Sequence, residues 1–267
     1  MHEGELLFSE ILNCKKVDLY LNRDMLLDKP KSTFAASVLR RRIKGEPIQY
    51  ILGKTEFMGL EFKIDKNIFI PRPETEILVE AVIELVSCVM CQVSCVNILD
   101  IGTGSGCIAV SLAKFIANSR ITATDISKEA IKISRQNALL NNVSINFLPS
   151  DLFDTYNLIP NTYNLIVSNP PYIATREIEQ LQPELQYEPR IALDAGPDGL
   201  DFYRRLIKES PAYLREDGFL VMEMGFKQKD AVLDIFQDSG NFQIIDLVKD
   251  YNGIDRVVVA QRKKKNG

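Results

Sequence analysis

The sequence predicts an α/β protein: a mostly parallel, seven-stranded sheet with helices on both faces, preceded by a small helical domain and a β-hairpin linker. Three observations predict it. From Glu74 onward, strand-like and helix-like apolar patterns alternate, which is how a chain builds a parallel sheet with covering helices. The apolar run Val96–Ile101 passes straight into a glycine-rich turn and then a helical pattern. Up to about Gly53, by contrast, apolar residues recur only at helical spacing.

The helical domain, residues 1–53, is read from Leu6, Leu7, Ile11 and Leu12, then Leu19, Leu21, Leu26 and Leu27, with Phe34, Val38 and Leu39 leading to the basic run Arg40–Arg42. Lys29-Pro30 interrupts the pattern and Gly45-Glu46-Pro47 ends it. Residues 54–73 form the linker. Phe57, Leu60, Phe62 and Ile64 alternate with polar residues about a turn at Met58-Gly59, and Pro71 and Pro73 stiffen the exit. In residues 74–267 the expected order is helix 74–89, strand 96–101, helix 106–117, strand 120–125, helix 128–141, strand 144–148 and strand 163–168. After a long loop come helix 201–214, strand 218–224, a further helix and strands 242–248 and 255–260.

The chain has 267 residues, 46% hydrophobic and 25% charged, enough apolar material for a sizeable core. A formal charge of -4 weighs against a broad non-specific nucleic-acid surface. No apolar stretch has the length of a membrane span, and the N-terminus reads as neither secretory signal nor transit peptide, so a cytoplasmic protein is expected. Cys88, Cys91 and Cys95 are closely spaced but lack a nearby fourth ligand, so no metal site is expected. His2 is the single histidine, which leaves no histidine base or Ser-His pair for catalysis.

Chemistry is expected at two turns. In Gly102-Thr103-Gly104-Ser105-Gly106, glycines let a ligand approach the backbone beside a helix N-terminus. Asp125 ends the next strand, where an acidic side chain accepts hydrogen bonds from ribose hydroxyls. The glycine spacing departs from the dinucleotide fingerprint, with Cys107 in the last glycine's place, and the turn holds no Arg or Lys for a pyrophosphate. A nucleoside without phosphate, S-adenosyl-L-methionine, suits it better than NAD. Asp151 is the expected acceptor for the adenine amine, with Leu152 and Phe153 packing on the ring.

The second turn is Asn169-Pro170-Pro171-Tyr172, directly after strand 163–168. Two prolines hold it extended, so the Asn169 side-chain oxygen and the Pro170 carbonyl can bind both hydrogens of one NH₂ group. An amide or aromatic amine nitrogen is a poor nucleophile because its lone pair is delocalised. Orientation by fixed acceptors, rather than a strong base, is what its methylation requires. Tyr172 supplies a ring for a planar substrate or a cationic cofactor. On these residues alone, the acceptor is a planar nitrogen, either an amide or an aromatic amine. A non-catalytic nucleoside- or NAD-binding module is the reading from another class.

With these turns, Arg42, Gly45-Glu46-Pro47, Tyr50-Ile51, Gly53, Ile70-Pro71-Arg72-Pro73-Glu74-Thr75-Glu76, Glu188-Pro189, Ala192-Leu193, Gly196–Leu200, Gly253 and Asp255-Arg256-Val257 span nearly the whole chain. In this set the chain resembles the HemK/PrmC family, N5-glutamine methyltransferases that modify peptide-chain release factors. The resemblance implies a class I, Rossmann-like S-adenosylmethionine-dependent methyltransferase domain. Its implied substrate is the glutamine of a release factor's Gly-Gly-Gln motif, recognised with the help of the helical domain, without a membrane or any direct need for nucleic acid. It implies cofactor contacts at residues 102–106, Asp125 and Asp151–Leu152, and contacts to cofactor and glutamine at Asn169 and Tyr172. Family members often carry an aromatic residue where this chain has Leu152. Adenine-N6 nucleic-acid methyltransferases share the two turns and are the alternative.

Overall fold

A computed structural model describes residues 3–21, 26–90 and 92–264; His2, Cys91 and Lys265 lie outside them. The described residues at the front of the chain form four helices, α1 (Glu3–Leu12), α2 (Lys16–Leu21), α3 (Lys29–Ile43) and α4 (Ile48–Leu52). α3 starts where the sequence places a break: Asp28 accepts the Lys31 N–H at 2.8 Å and Pro30 occupies the first turn, where its missing N–H costs nothing. Leu7, Ile11, Ala35, Val38, Ile48 and Ile51 close a small core among these helices. Gly53 then takes a left-handed conformation (φ +72°) to end α4 and turn into the hairpin β1 (Lys54–Phe57) and β2 (Leu60–Lys63).

The rest is one seven-stranded sheet. Its elements are α5 (Pro73–Val89), β3 (Val96–Ile101), α6 (Cys107–Phe115), β4 (Ser119–Asp125), α7 (Lys128–Leu140), β5 (Asn146–Pro149), β6 (Tyr163–Ser168), α8 (Asp201–Glu209), β7 (Leu214–Glu223), α9 (Lys229–Ser239), β8 (Phe242–Lys249) and β9 (Asp255–Arg262). Strand order is β5-β4-β3-β6-β7-β9-β8; the first five are parallel, and β9 is antiparallel to both β7 and β8.

Strand residues alternate between two cores, as a period of two demands. Ile98, Leu165, Val167, Phe219, Val221 and Val257 pack under α5, α6 and α7. Leu99, Ile101, Ile166, Leu220, Met222 and Val258 pack with Tyr203, Leu206 and Phe236 of α8 and α9. The sheet is therefore covered on both faces, which is why its strands read as unbroken apolar runs.

Two boundaries differ from the sequence expectation by more than two residues. α8 stops at Glu209, and residues 210–212 form a 3₁₀ turn, because Pro211 cannot continue an α-helix. β7 correspondingly starts at Leu214, four residues before the apolar pattern begins. Among the described residues no helix is long and apolar enough to cross a membrane, and no cluster of His, Cys, Asp or Glu is placed to hold a metal ion.

Candidate active site

Sheet register builds the site. Thr124 of β4, Ile101 of β3, Ser168 of β6 and Met222 of β7 lie side by side in one row across four parallel strands. The next residue on each strand is therefore level with its neighbours: Asp125, Gly102, Asn169 and Glu223. Chain order reverses between β3 and β6, so a crevice opens there at the carboxyl ends, where such sheets bind ligands. A cavity of about 660 Å³ occupies this position. Ser168 Oγ donates to the Ile101 carbonyl at 2.8 Å, fastening the two strand ends that bracket it.

On the β3–β4 side the walls are backbone. Gly102 (φ +75°) and Gly104 (φ +55°) are left-handed, and a Cβ built on either meets no protein atom within 4 Å. Both line the cavity, with Thr103, Ser105 and Asp125. Asp125 closes the loop: Oδ2 accepts the Gly104 N–H at 2.8 Å and Oδ1 the Ser127 N–H at 2.9 Å. Its pKa is nevertheless raised, because burial outweighs those N–H groups. Beneath the loop, Thr103 Oγ1 donates to fully buried Asp100 at 2.6 Å. Burial pushes Asp100 up to about 7.

Gly106 is not part of the lining. Its left-handed backbone (φ +83°) lies against α7, where a Cβ would come within 2.9 Å of Ser134 Cβ. It is a packing glycine that lets α6 start close to α7. Asp151 and Leu152 reach the cavity, and Asp151 pairs with Arg205 of α8 at 3.0 Å. Phe153 does not: it is 3% exposed and stacks on Tyr213 at 4.7 Å between centroids. The expectation that Phe153 packs on an adenine ring is corrected. Leu152 takes a left-handed turn (φ +50°), and the next side chain is directed into the core beneath α8. The rings that do line the cavity are Phe69, Tyr172 and Phe202.

On the β6–β7 side the walls are side chains. Asn169, Pro170, Pro171 and Tyr172 all line the cavity. Asn169 Nδ2 donates to Thr75 Oγ1 at 3.0 Å, and Thr75 Oγ1 donates to Glu223 Oε2 at 2.7 Å. Glu223 is 1% exposed, and burial pushes its pKa up to about 7, against the bond from Thr75 and the charge of Arg256. Burial, reinforced by the charge of Glu223, pushes the Tyr172 phenol up to about 12, so it stays protonated near neutral pH. Gln228 Nε2 holds the turn from behind, donating to the Tyr172 carbonyl at 2.9 Å and the Gly199 carbonyl at 3.2 Å. Gly199 must be glycine, since a Cβ there would sit 2.7 Å from the Tyr172 oxygen.

Thr75, Glu223, Gln228 and Arg256 were not identified as site residues from the sequence. Glu223 had a signal, an acidic residue ending the apolar strand Phe219–Met222. Thr75 and Arg256 lay inside segments noted for resemblance alone. Gln228 carried no signal. The Ile70–Glu76 segment also anchors the far lip: Arg72 pairs with buried Glu188, stacks over Phe69 at 4.8 Å, and lines the cavity. Ile70 N–H donates to the second Glu188 oxygen at 3.2 Å. Burial raises the Glu188 pKa despite Arg72. Arg42 of α3 meets Glu184 and bonds Glu3, and Tyr187 Oη donates to the Lys44 carbonyl at 2.9 Å, so the helical front touches the same segment.

Comparison with known proteins agrees with this arrangement. Residues 1–53 match the PrmC N-terminal domain and residues 76–188 the methyltransferase small domain. The chain is 42% identical to a release factor glutamine methyltransferase of Fusobacterium nucleatum over 97% of its own length and 73% of that protein. A protein of the same description from Geobacter sulfurreducens is 41% identical, covering 96% of this chain and 87% of that one. Among solved structures, the ribosomal protein L11 methylase of Lactobacillus delbrueckii subsp. bulgaricus shares the fold, with a TM-score of 0.53 at 23% identity over 76% of this chain and 86% of that one. With a helical front, a doubly covered sheet and relatives at this identity along nearly its whole length, the chain belongs to the release factor glutamine methyltransferase family.

Proposed function

We propose that the protein transfers a methyl group from S-adenosyl-L-methionine to the side-chain amide nitrogen (N5) of the glutamine in the Gly-Gly-Gln motif of a peptide-chain release factor. One observation carries this reading: register sets a ribose-type acceptor, Asp125, an open glycine cradle, Gly102, and an oriented amide, Asn169, on consecutive strands at one level.

The residues present fit the cofactor. Gly102 and Gly104 leave the space that a Cβ would fill open to a ligand, Asp125 faces the cavity as a hydrogen-bond acceptor, and Ile126 and Leu152 give it apolar walls. When bound, S-adenosyl-L-methionine supplies the sulfonium methyl group. The protein's residues then bind and orient. Asn169 Oδ1 and the Pro170 carbonyl accept the hydrogens of the substrate NH₂, so that its lone pair turns toward the methyl donor. Tyr172, kept neutral, stacks on the planar amide and presents an electron-rich face. No histidine lies among the described residues, and none is needed, because the amide proton becomes acidic only as the new N–C bond forms. The helical front contacts residues 184 and 187 beside one lip of the cavity, which supports a role for it in receiving a protein substrate. A release factor as substrate puts the reaction in the cytoplasm.

Transfer of labelled methyl from S-adenosyl-L-methionine to purified release factor, with DNA and RNA in parallel, tests this reading. Label on the Gly-Gly-Gln peptide by mass spectrometry is expected. Label on adenine and none on release factor would replace it with the nucleic-acid alternative.

A further inference from the structure

An asparagine can do this job only if the correct end of its amide faces the substrate. Oδ1 accepts and Nδ2 donates, and the two ends have nearly the same shape, so packing alone does not choose between them. Something must hold the amide against a flip. Asn169 Nδ2 donates to Thr75 Oγ1, whose own hydrogen goes to Glu223 Oε2. Thr75 is 2% exposed and Glu223 1%, so water does not compete for these bonds. The direction of the chain follows from its last member. An ionised carboxylate only accepts, so the Thr75 hydrogen is committed to Glu223 and the Thr75 oxygen can only accept from its other neighbour. That neighbour must present NH₂, which leaves Oδ1 as the outward arm of Asn169.

We infer that Thr75 and Glu223 are positioning residues that set the amide polarity of Asn169 so that its oxygen receives the substrate N–H. The inference rests on the methyl-transfer reading above. Neither residue takes a proton from the substrate; each acts through Asn169. They come from parts of the chain far from Asn169 and from each other, Thr75 from the first turn of α5 and Glu223 from the end of β7.

A protonation dependence follows. With a proton on Glu223, the carboxyl can donate to Thr75 Oγ1. Thr75 is then free to donate to Asn169 Oδ1 after a flip of the amide, which turns NH₂ toward the substrate's own N–H groups. Turnover therefore needs the carboxylate, and it rises with pH as Glu223 ionises. The groups facing Glu223 set where this happens. Arg256 of β9 and Thr75 favour the carboxylate, as does the Asn169 amide, while burial and Glu74 of α5 oppose it. Tyr172 and Tyr203, protonated near neutral pH, and buried Cys107 complete the surroundings.

The test compares wild type with Thr75→Val, Thr75→Ser and Glu223→Gln in the full-length enzyme. Thr75→Val keeps shape but loses the hydroxyl. Its kcat is expected to fall on the order of 100-fold, the cost of a reacting group misplaced by about an ångström, with KM for release factor and calorimetric cofactor affinity unchanged. Thr75→Ser keeps the hydroxyl and restores most of the rate. In wild type kcat falls on the acid side of neutrality; in Glu223→Gln that acid limb disappears. The ¹⁵N-labelled side-chain amide signal of Asn169 shifts with pH near neutrality in wild type and is flat in Glu223→Gln, a readout that needs no turnover. Wild-type activity on release factor tests the functional reading separately, and if adenine proves to be the acceptor, the same ratios are read there. An unchanged kcat in Thr75→Val overturns the positioning role, as does an acid limb or an Asn169 shift that survives in Glu223→Gln. Should Thr75→Val fail to fold, the Glu223→Gln profile and the amide signal decide alone.

Discussion

The two halves of the cavity are built by different means. The β3–β4 half is made of backbone: Gly102 and Gly104 in left-handed conformations, closed by an aspartate that accepts two main-chain N–H groups, all within 26 residues of sequence (102–127). The β6–β7 half is made of side chains that meet over long separations, 94 residues from Thr75 to Asn169 and 148 from Thr75 to Glu223. A backbone wall is insensitive to most side-chain chemistry but intolerant of a Cβ. A side-chain wall is the reverse: its shape survives substitution while its polarity does not. The first half suits a ligand that is held the same way throughout, and the second suits a group whose hydrogen bonds must change in strength during reaction.

Substitutions can break that contrast, and the largest effect is expected in the side-chain half. Asn169→Ala should lower kcat by about 10²- to 10³-fold, the usual cost of one transition-state hydrogen-bonding group, with cofactor affinity by calorimetry unchanged. Weakened cofactor binding with normal kcat would assign Asn169 to the other half. Next comes Arg72→Ala, which leaves Glu188 buried without its partner. Urea unfolding should show a loss of about 3 kcal/mol, at the low end for a broken buried pair because Arg72 keeps contact with water.

The backbone half is expected to respond through stability first. Gly106→Ala places a Cβ against Ser134 on a backbone with φ +83°, and should destabilise by about 2 kcal/mol in the same assay. A neutral result would mean that α6 and α7 can separate at no cost. Asp125→Asn is the mildest change, since the amide keeps an acceptor while losing charge. Cofactor affinity should weaken by about 1 kcal/mol, roughly fivefold, with kcat nearly unaffected.

Most of the backbone half could be read in the sequence because its causes are local. Glycines at 102 and 104 after an apolar strand, and an aspartate ending the next strand, announce themselves within a few residues. The Asn169–Tyr172 turn was equally legible, since two prolines dictate its conformation. Two residues read locally as cofactor contacts do not line the cavity. Gly106 looked like a third cradle glycine, yet its space is taken by α7. Phe153 looked like a cofactor contact, yet the left-handed backbone at Leu152 sends it under α8 against Tyr213.

The sequence by itself determined the element order, the crevice-forming turns and the family, because each follows from periodicity, turn chemistry or residues close together in the chain. It did not determine that β9 inserts between β7 and β8, nor that Arg72 reaches Glu188, nor that Thr75, Glu223 and Asn169 join in one chain of hydrogen bonds. Those depend on which strand lies beside which and at what register. The register sets Glu223 one row beyond Met222 and therefore level with Asn169, and α5 then brings Thr75 between them. Only the packed sheet decides which end of the Asn169 amide is held and which is left for the substrate.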